Sequence, residues 1–333
     1  MKPTLLKLIL FFFIVLRLQA QELLPFVENY SKSHYEGDNQ TWNVVQGKDL
    51  AMYFANNHYL LRYDGVAWEK YSLPNKTIIR SILIEGDRIY SGSYKEFGYW
   101  LRENGKMRYV SISRKFRLFD EKDNEEIWKI FRYNGSLYFQ SFNDVFIYDG
   151  KHIKKIKFPF LISYCFVAGK DLYAASVEKG VFKMNGSKIA SLEGWDSLKN
   201  TVVHAIEKYN NQIYIFTQKR GIFIAGNKSL AAWNNPLNVT FKANGINVAR
   251  FIKNDKLVVG TANKGVFIYD FKTNTHKNID RNNVLMNNSV LSIGFDKEDD
   301  LWLGLDNGIA HIEVNSPISF FHDNSGILGS VYS

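Results

Sequence analysis

The chain is short of the residues that staple or arm most small catalytic folds. It carries one cysteine, Cys165, in 333 residues, which excludes an internal disulfide framework and any multi-cysteine zinc or iron–sulfur site. Proline is scarce as well, with 6 residues against 25 Phe, 19 Tyr and 7 Trp, and that balance favours strands, where rings and branched side chains pack on a pleated surface. The 3.6-residue periodicity of amphipathic helices is absent. No Gly-x-Ser-x-Gly, His-Glu-x-x-His, P-loop or dinucleotide fingerprint occurs, so the commonest hydrolase and nucleotide chemistries have no seat. With 46% hydrophobic and 23% charged residues the chain is nonetheless globular and not disordered.

The first twenty residues read as a secretory leader. Lys2 and Lys7 give a positive start, residues 8–16 are an unbroken apolar run, and Leu18-Gln19-Ala20 ends on a small residue. Cleavage is expected after Ala20. The alternative, a membrane anchor, needs about 20 apolar residues, whereas this run stops at Arg17. Removing Lys2, Lys7 and Arg17 lowers the formal charge from +9 to +6. That charge is spread along the chain.

The rest of the sequence repeats. Its clearest unit is Asn288-Ser289-Val290-Leu291-Ser292-Ile293, then Asp296, then Leu301-Trp302-Leu303-Gly304, then Gly308-Ile309. Second strands aligned on Tyr53, Tyr90, Tyr138, Tyr173, Tyr214, Val258 and Trp302 give seven units with spacings of 37, 48, 35, 41, 44 and 44. This is the period of a four-stranded propeller blade. Turn pairs such as Gly86-Asp87, Asn134-Gly135 and Asn210-Asn211 separate first from second strands, and Asp64-Gly65, Asn104-Gly105 and Asp149-Gly150 separate third from fourth. The expected fold is all-β: a seven-bladed propeller of four-stranded antiparallel blades over residues 21–328. Residues 24–30 and 318–323 resemble each other, so both compete for the outer edge of the last blade. Residues 329–333 match the start of a unit, which predicts a truncated eighth repeat and a longer protein; the alternative is a natural terminus with a short tail.

This unit resembles the two-component-regulator propeller repeat, the sensor module outside the inner membrane in bacterial regulators, especially of the Bacteroidetes. Of the other six copies five keep the second-strand aromatic, the sixth having Val258 there, and all keep the turn but not the Trp-Leu-Gly string. The openings Glu22-Leu23-Leu24-Pro25-Phe26 and Gly37-Asp38-Asn39-Gln40-Thr41-Trp42, with the run from Tyr90 to Trp100, resemble a flavobacterial subgroup. The resemblance implies a downstream propeller, a triple-tyrosine domain, one transmembrane helix and a cytoplasmic output, either a LuxR-type helix-turn-helix or a histidine kinase. It also implies a dimer of the full-length protein, and a periplasmic location tethered to the inner membrane by a segment missing here.

Loops between second and third strands gather at one mouth of a propeller channel, so their residues are the candidate ligand-binding set: Tyr94, Lys95, Glu96, Phe97, Phe142, Lys179, Lys219, Arg220, Lys264 and Asp306. Rings, amides and basic groups there suit a polar or acidic glycan or another small ligand; solvated loops of an ordinary β-protein look much the same. Neither a cofactor nor a metal is expected. The run Asp296, Glu298, Asp299, Asp300 lacks the glycine and terminal glutamate of a calcium loop and reads as a solvated turn. The lysines of residues 151–157 fall on an outermost strand, where charge blunts an exposed edge, in preference to a nucleic-acid patch. Cys165 and the seven histidines, His204 and His311 among them, read as structural. The leading function is an extracytoplasmic sensor without enzymatic activity of its own. The rivals are a propeller enzyme, a polysaccharide lyase or hydrolase, and a secreted scaffold without output.

Overall fold

The computed structural model describes residues 23–253 and 255–320; the expected leader and the start of the eighth repeat lie outside the described residues. The described residues form seven four-stranded antiparallel sheets, each a blade. The innermost strands, in chain order, are Asn43–Gln46, Ser81–Glu85, Lys129–Tyr133, Tyr164–Ala168, Val203–Tyr209, Ile246–Ile252 and Val290–Phe295. Blades 1 to 7 below follow that order. No helix among the described residues is long and apolar enough to cross a membrane.

Strand alternation explains why the blades stack. In the strand Ser136–Gln140, Leu137 and Phe139 join an apolar cluster shared with blade 2, while Tyr138, on the opposite face, joins one shared with blade 4. The same rule sends Ile130 one way and Phe131 the other. Seven such clusters lie between neighbouring blades. Each fully buried large side chain contributes roughly 1.5–3 kcal/mol, so the ring is held by layers that a single blade cannot build. Glycine is required where backbones approach: a Cβ on Gly260 would lie 2.6 Å from Val290 of the next blade.

Polar stitches add to the layers. Gln140 of blade 3 accepts the Cys165 backbone N–H at 3.0 Å and donates to the Ser163 carbonyl at 3.1 Å, both on blade 4. Cys165 itself is fully buried, and burial pushes its thiol up to about 12, as expected of a small core residue rather than a nucleophile.

The ring closes with a strand from the N-terminal side. Val27–Tyr30 pairs antiparallel with residues 309–312, Val27 opposite Ile312 and Tyr30 opposite Ile309, as the outermost strand of blade 7. Of the two segments expected to compete for this edge, residues 27–30 take it and residues 318–320 do not. After Ile312 the chain turns away, held by Asn315 Nδ2 donating to the carbonyls of Glu298 and Asp299, and Pro317 has no N–H to offer a ladder. Phe320 instead pairs with Leu24 through two backbone bonds, of 3.0 and 2.7 Å. Phe321, His322 and Asp323 lie outside the described residues. The closing seam is aromatic: Tyr30 stacks on Trp302 at 5.9 Å, with Phe54, Tyr63 and Trp68 around them.

Candidate functional site

All innermost strands run in the same sense, and the second strand of each blade runs back antiparallel. The loops between second and third strands therefore sit at the end where each innermost strand begins. Tyr94 and Phe142 lie there, each residue 39% exposed, and Lys179 and Lys219 are exposed. Lys95 is in a left-handed turn, φ 50°, and its Nζ donates to the Glu121 carbonyl. Asp306 accepts from Gln40 Nε2 at 2.7 Å.

Four other expected residues are spent elsewhere. Glu96 and Phe97 are not at the surface: the strand Glu96–Glu103 starts directly after the turn, so alternation carries both inward. Phe97 stacks on Phe139 at 4.2 Å, in the layer between blades 2 and 3. The Glu96 carboxylate accepts from Tyr109, Ser111 and Ser113 at 3.0, 2.7 and 2.7 Å, and pairs with Arg114. Arg220 donates to the Ser197 carbonyl and to Thr201 Oγ1, while Lys264 is neutralised by the buried carboxylate of Asp280 at 2.6 Å.

A second set of residues lies just inside the mouth. In each blade, two residues at the start of the innermost strand face a single residue of the second strand. In blades 1 to 3 the N–H of Trp42, Arg80 and Trp128 donates to the carbonyl of the residue that pairs with the next position, respectively Ala55, Gly92 and Gln140. In blades 5 to 7 the extra residue of the register shift is His204, Asn247 and Leu291. A bulge re-aims a side chain, and these six residues all line the central channel.

On the side of blades 1 to 4 this ring is aromatic and cationic. The Arg80 guanidinium lies 4.5 Å from the centroid of Trp42 and 4.3 Å from that of Trp128, and it pairs with Glu126 at 2.7 Å. Phe142 stacks on Trp128 at 5.3 Å, which joins the mouth to the wall. Trp42 Nε1 donates to Asn57 in the blade 1 loop. Deeper in, Lys129 stands 4.1 Å from the Phe166 ring centroid, and Tyr164 faces the His204 ring. Burial, with the Arg250 charge behind it, pulls the Lys129 ammonium down to about 8. Burial and then Lys129 pull His204 down to about 4, so its imidazole is neutral at physiological pH. Burial raises Glu207.

The acidic run behaves as a turn. Asp296 Oδ1 accepts the N–H groups of Glu298 and Asp300, and Oδ2 accepts Trp302 Nε1 at 2.9 Å. Among the described residues, Asp296, Asp300 and His311 are the one group with potential metal-ligand atoms within 4.8 Å of each other. Asp296 Oδ1 is used by the turn and Oδ2 by the Trp302 indole. The lysine-bearing strand Ile153–Lys157 is outermost in blade 3, as expected.

Reading the loops alone misses the wall. Its signal was available: with first strands aligned, Trp42, Arg80, Trp128 and His204 fall two residues before the positions held by Val44, Ile82, Ile130 and Ile206. Large polar or aromatic residues recurring at one place in an otherwise apolar strand mark a surface the core does not need.

Neither a protein-family model nor a curated protein matches the sequence. Solved structures do match. The extracellular domain of a putative one component system from B. thetaiotaomicron aligns at 20% identity and a TM-score of 0.69, over 87% of this chain and 40% of that one. That of a putative hybrid two component system from the same organism aligns at 16% and 0.67, over 87% and 42%. A catalytically inactive virginiamycin B lyase from Staphylococcus aureus, solved with quinupristin, aligns at 13% and 0.64, over 86% and 98%. The chain thus spans about two fifths of the length of the two regulator domains it matches. At such identities the likeness shows the fold: a propeller shared by regulators and by a lyase.

Proposed function

We propose that this chain is the receiving propeller of an exported bacterial signalling protein, taking a small polar ligand at the channel mouth and passing its state to further domains. The observation that carries this reading is the continuous stack of rings and a guanidinium from Phe142 through Trp128 and Arg80 to Trp42, of which the last three line the channel. Its likeness in fold to extracellular domains of regulators supports the role. The leader-like start and the repeat's resemblance support a periplasmic location, tethered by a segment beyond this chain. A glycan suits the mouth because sugar rings stack on exposed aromatics such as Tyr94 and Phe142, while Lys179 and Lys219 supply charge.

We read the site as a binder rather than a catalyst. His204 is the one histidine among the described channel residues, and its Nε2 contacts no serine, cysteine or carboxylate that would make a nucleophile–base pair. Two experiments test the reading. The full chain fused to alkaline phosphatase is expected to give an active enzyme outside the inner membrane; a silent fusion with a folded propeller overturns export. On a glycan array the same chain is expected to bind a polar or acidic sugar, with Tyr94→Ala weakening it about tenfold. Turnover of a bound sugar would favour the lyase reading instead.

A further inference from the structure

The channel is about 470 Å³ in volume, lined by all seven innermost strands, and among the described residues its wall holds one cation without a counter-ion. Arg80 pairs with Glu126, Arg132 with Glu85, and Arg250 approaches Glu207 at 4.0 Å. Lys129 has no such partner among the described residues: its ammonium meets the rings of Phe166 at 4.1 Å and Tyr164 at 5.9 Å, and nothing accepts a hydrogen bond from it. Lys129 is half-buried with its ammonium facing the channel, so an anion entering there meets a cation that the described wall residues do not neutralise. The strand position does not require a lysine, since blades 2, 5, 6 and 7 place Ser81, Ala205, Val248 and Ser292 at the equivalent register. In the same wall, Trp128 Nε1 and His204 Nε2 are buried and have no hydrogen-bond partner among the described residues. Such unsatisfied atoms are few in folded proteins and call for an explanation.

We propose that the channel binds a small carboxylate carried on a six-membered ring, the carboxylate seated against Lys129 Nζ and the ring against the Tyr164 and Trp42–Arg80–Trp128 faces. The volume falls within the range of small-molecule sites and admits a ligand of monosaccharide or disaccharide size. The rings supply stacking, Arg80 and Arg250 add positive potential, and Glu207, the one carboxylate among the described wall residues, is engaged by Arg250. A uronic acid and an aromatic carboxylate share this chemistry. The inference rests on the receiving role for the consequence of binding, not for binding itself.

The test uses the full chain and the fluorescence of its tryptophans, two of which line the channel. The probes are digalacturonate, benzoate, and neutral galactobiose as control. The acid probes are expected to bind, with Lys129→Met weakening them at least tenfold and Lys129→Arg retaining most of the affinity, while galactobiose binds more weakly than its acid. Preference for digalacturonate over benzoate would assign a uronate, and the reverse an aromatic acid. Thermal melting of Lys129→Met should be at least as high as that of the parent chain, which separates lost binding from lost folding. Equal binding by parent and Lys129→Met, or no acid binding up to about 10 mM, overturns the channel site. Should a sugar bind in a way that Tyr94→Ala abolishes and Lys129→Met leaves intact, the receiving role stands and the channel site falls. Should Lys129-dependent binding occur in a chain that fails the export assay, the site stands and the sensor role falls.

Discussion

Lys129 and Ile130 are neighbours on one strand and obey different rules. Ile130 is 6% exposed, packed between blades 2 and 3 with Leu137 and Phe139, and its register holds Val44, Ile82, Cys165, Ile206, Ala249 and Ile293 in the other blades. Every one of these is apolar or small, because each faces a layer that must exclude water. Lys129 faces the channel, and its register is occupied by Asn43, Ser81, Tyr164, Ala205, Val248 and Ser292. Some of these serve the fold, Ser81 Oγ accepting the Ile130 N–H and Ser292 Oγ donating to the Thr41 carbonyl, but none of those roles calls for a lysine. The layers between blades are thus constrained by packing, and the wall is free to be chosen by what it touches.

The largest effect should come from breaking a layer at its weakest topological point. Blade 7 is closed by a strand from the far end of the chain, so Trp302, which stacks on Tyr30 and lies 5.8 Å from Phe54 of blade 1, holds three segments together. Trp302→Ala is expected to cost about 3–5 kcal/mol of unfolding free energy in a urea titration. A loss below about 1 kcal/mol would mean that residues 23–30 contribute little to closure and that the Leu24–Phe320 pair does the joining instead.

Next in size is the contrast between Ile130 and Lys129. Ile130→Ala should cost about 2–4 kcal/mol, whereas Lys129→Met, one residue away, should cost nothing or stabilise the chain, since it removes a charge that the protein leaves unpaired. Opposite signs at adjacent positions are the signature of a wall retained for a ligand. If both substitutions destabilise by similar amounts, the wall belongs to the core and the distinction fails. Gln140→Leu should fall lower, at about 1–3 kcal/mol, because it strands the Cys165 N–H and the Ser163 carbonyl between two blades. Amide exchange at Cys165 should then accelerate more than at Ile130, whose N–H is held at 3.0 Å by Ser81 Oγ.

The same contrast explains what was legible in the sequence. Seven repeats, their strand order and their hairpin turns could be read because layer positions recur: an aromatic in the second strand, an apolar residue in the first, a left-handed turn such as Asn134-Gly135 between them. Closure by a strand from residues 21–30 is legible because a ring needs its seam joined, whereas the path of the competing segment depends on where Pro317 and Asn315 send the chain. The site was half visible. Tyr94, Phe142, Lys179 and Lys219 are where loop position puts them, but loop length does not reveal that Glu96 and Phe97 have already begun a strand, nor that Asp280 claims Lys264. Trp42, Arg80, Trp128 and Lys129 escaped notice because a strand pattern sorts residues into two faces, and a propeller's innermost strand has a third direction, into the channel.

The smallest effect, and the one that most sharpens the comparison, is a proton. Lys129 has its folded-state value pulled from the usual 10.5 down to about 8 by burial and by Arg250, with Glu207 and Cys165 opposing. Unfolding restores the ordinary value, so between pH 8 and 10.5 the unfolded chain binds more protons than the folded one, and this group's contribution to stability rises with pH across that window. A carboxylate bound against the ammonium acts the other way: it favours the charged form and draws a proton in. Acid-probe binding should therefore weaken as pH rises through about 8, well below where an exposed lysine would lose its charge. The neighbouring groups do not mimic this, since His204 is already neutral, pulled to about 4, and Tyr164 is raised by burial. Titrating parent and Lys129→Arg side by side checks it. The arginine variant should bind with no inflection near pH 8, and an inflection that survives in it would assign the proton to some group other than Lys129.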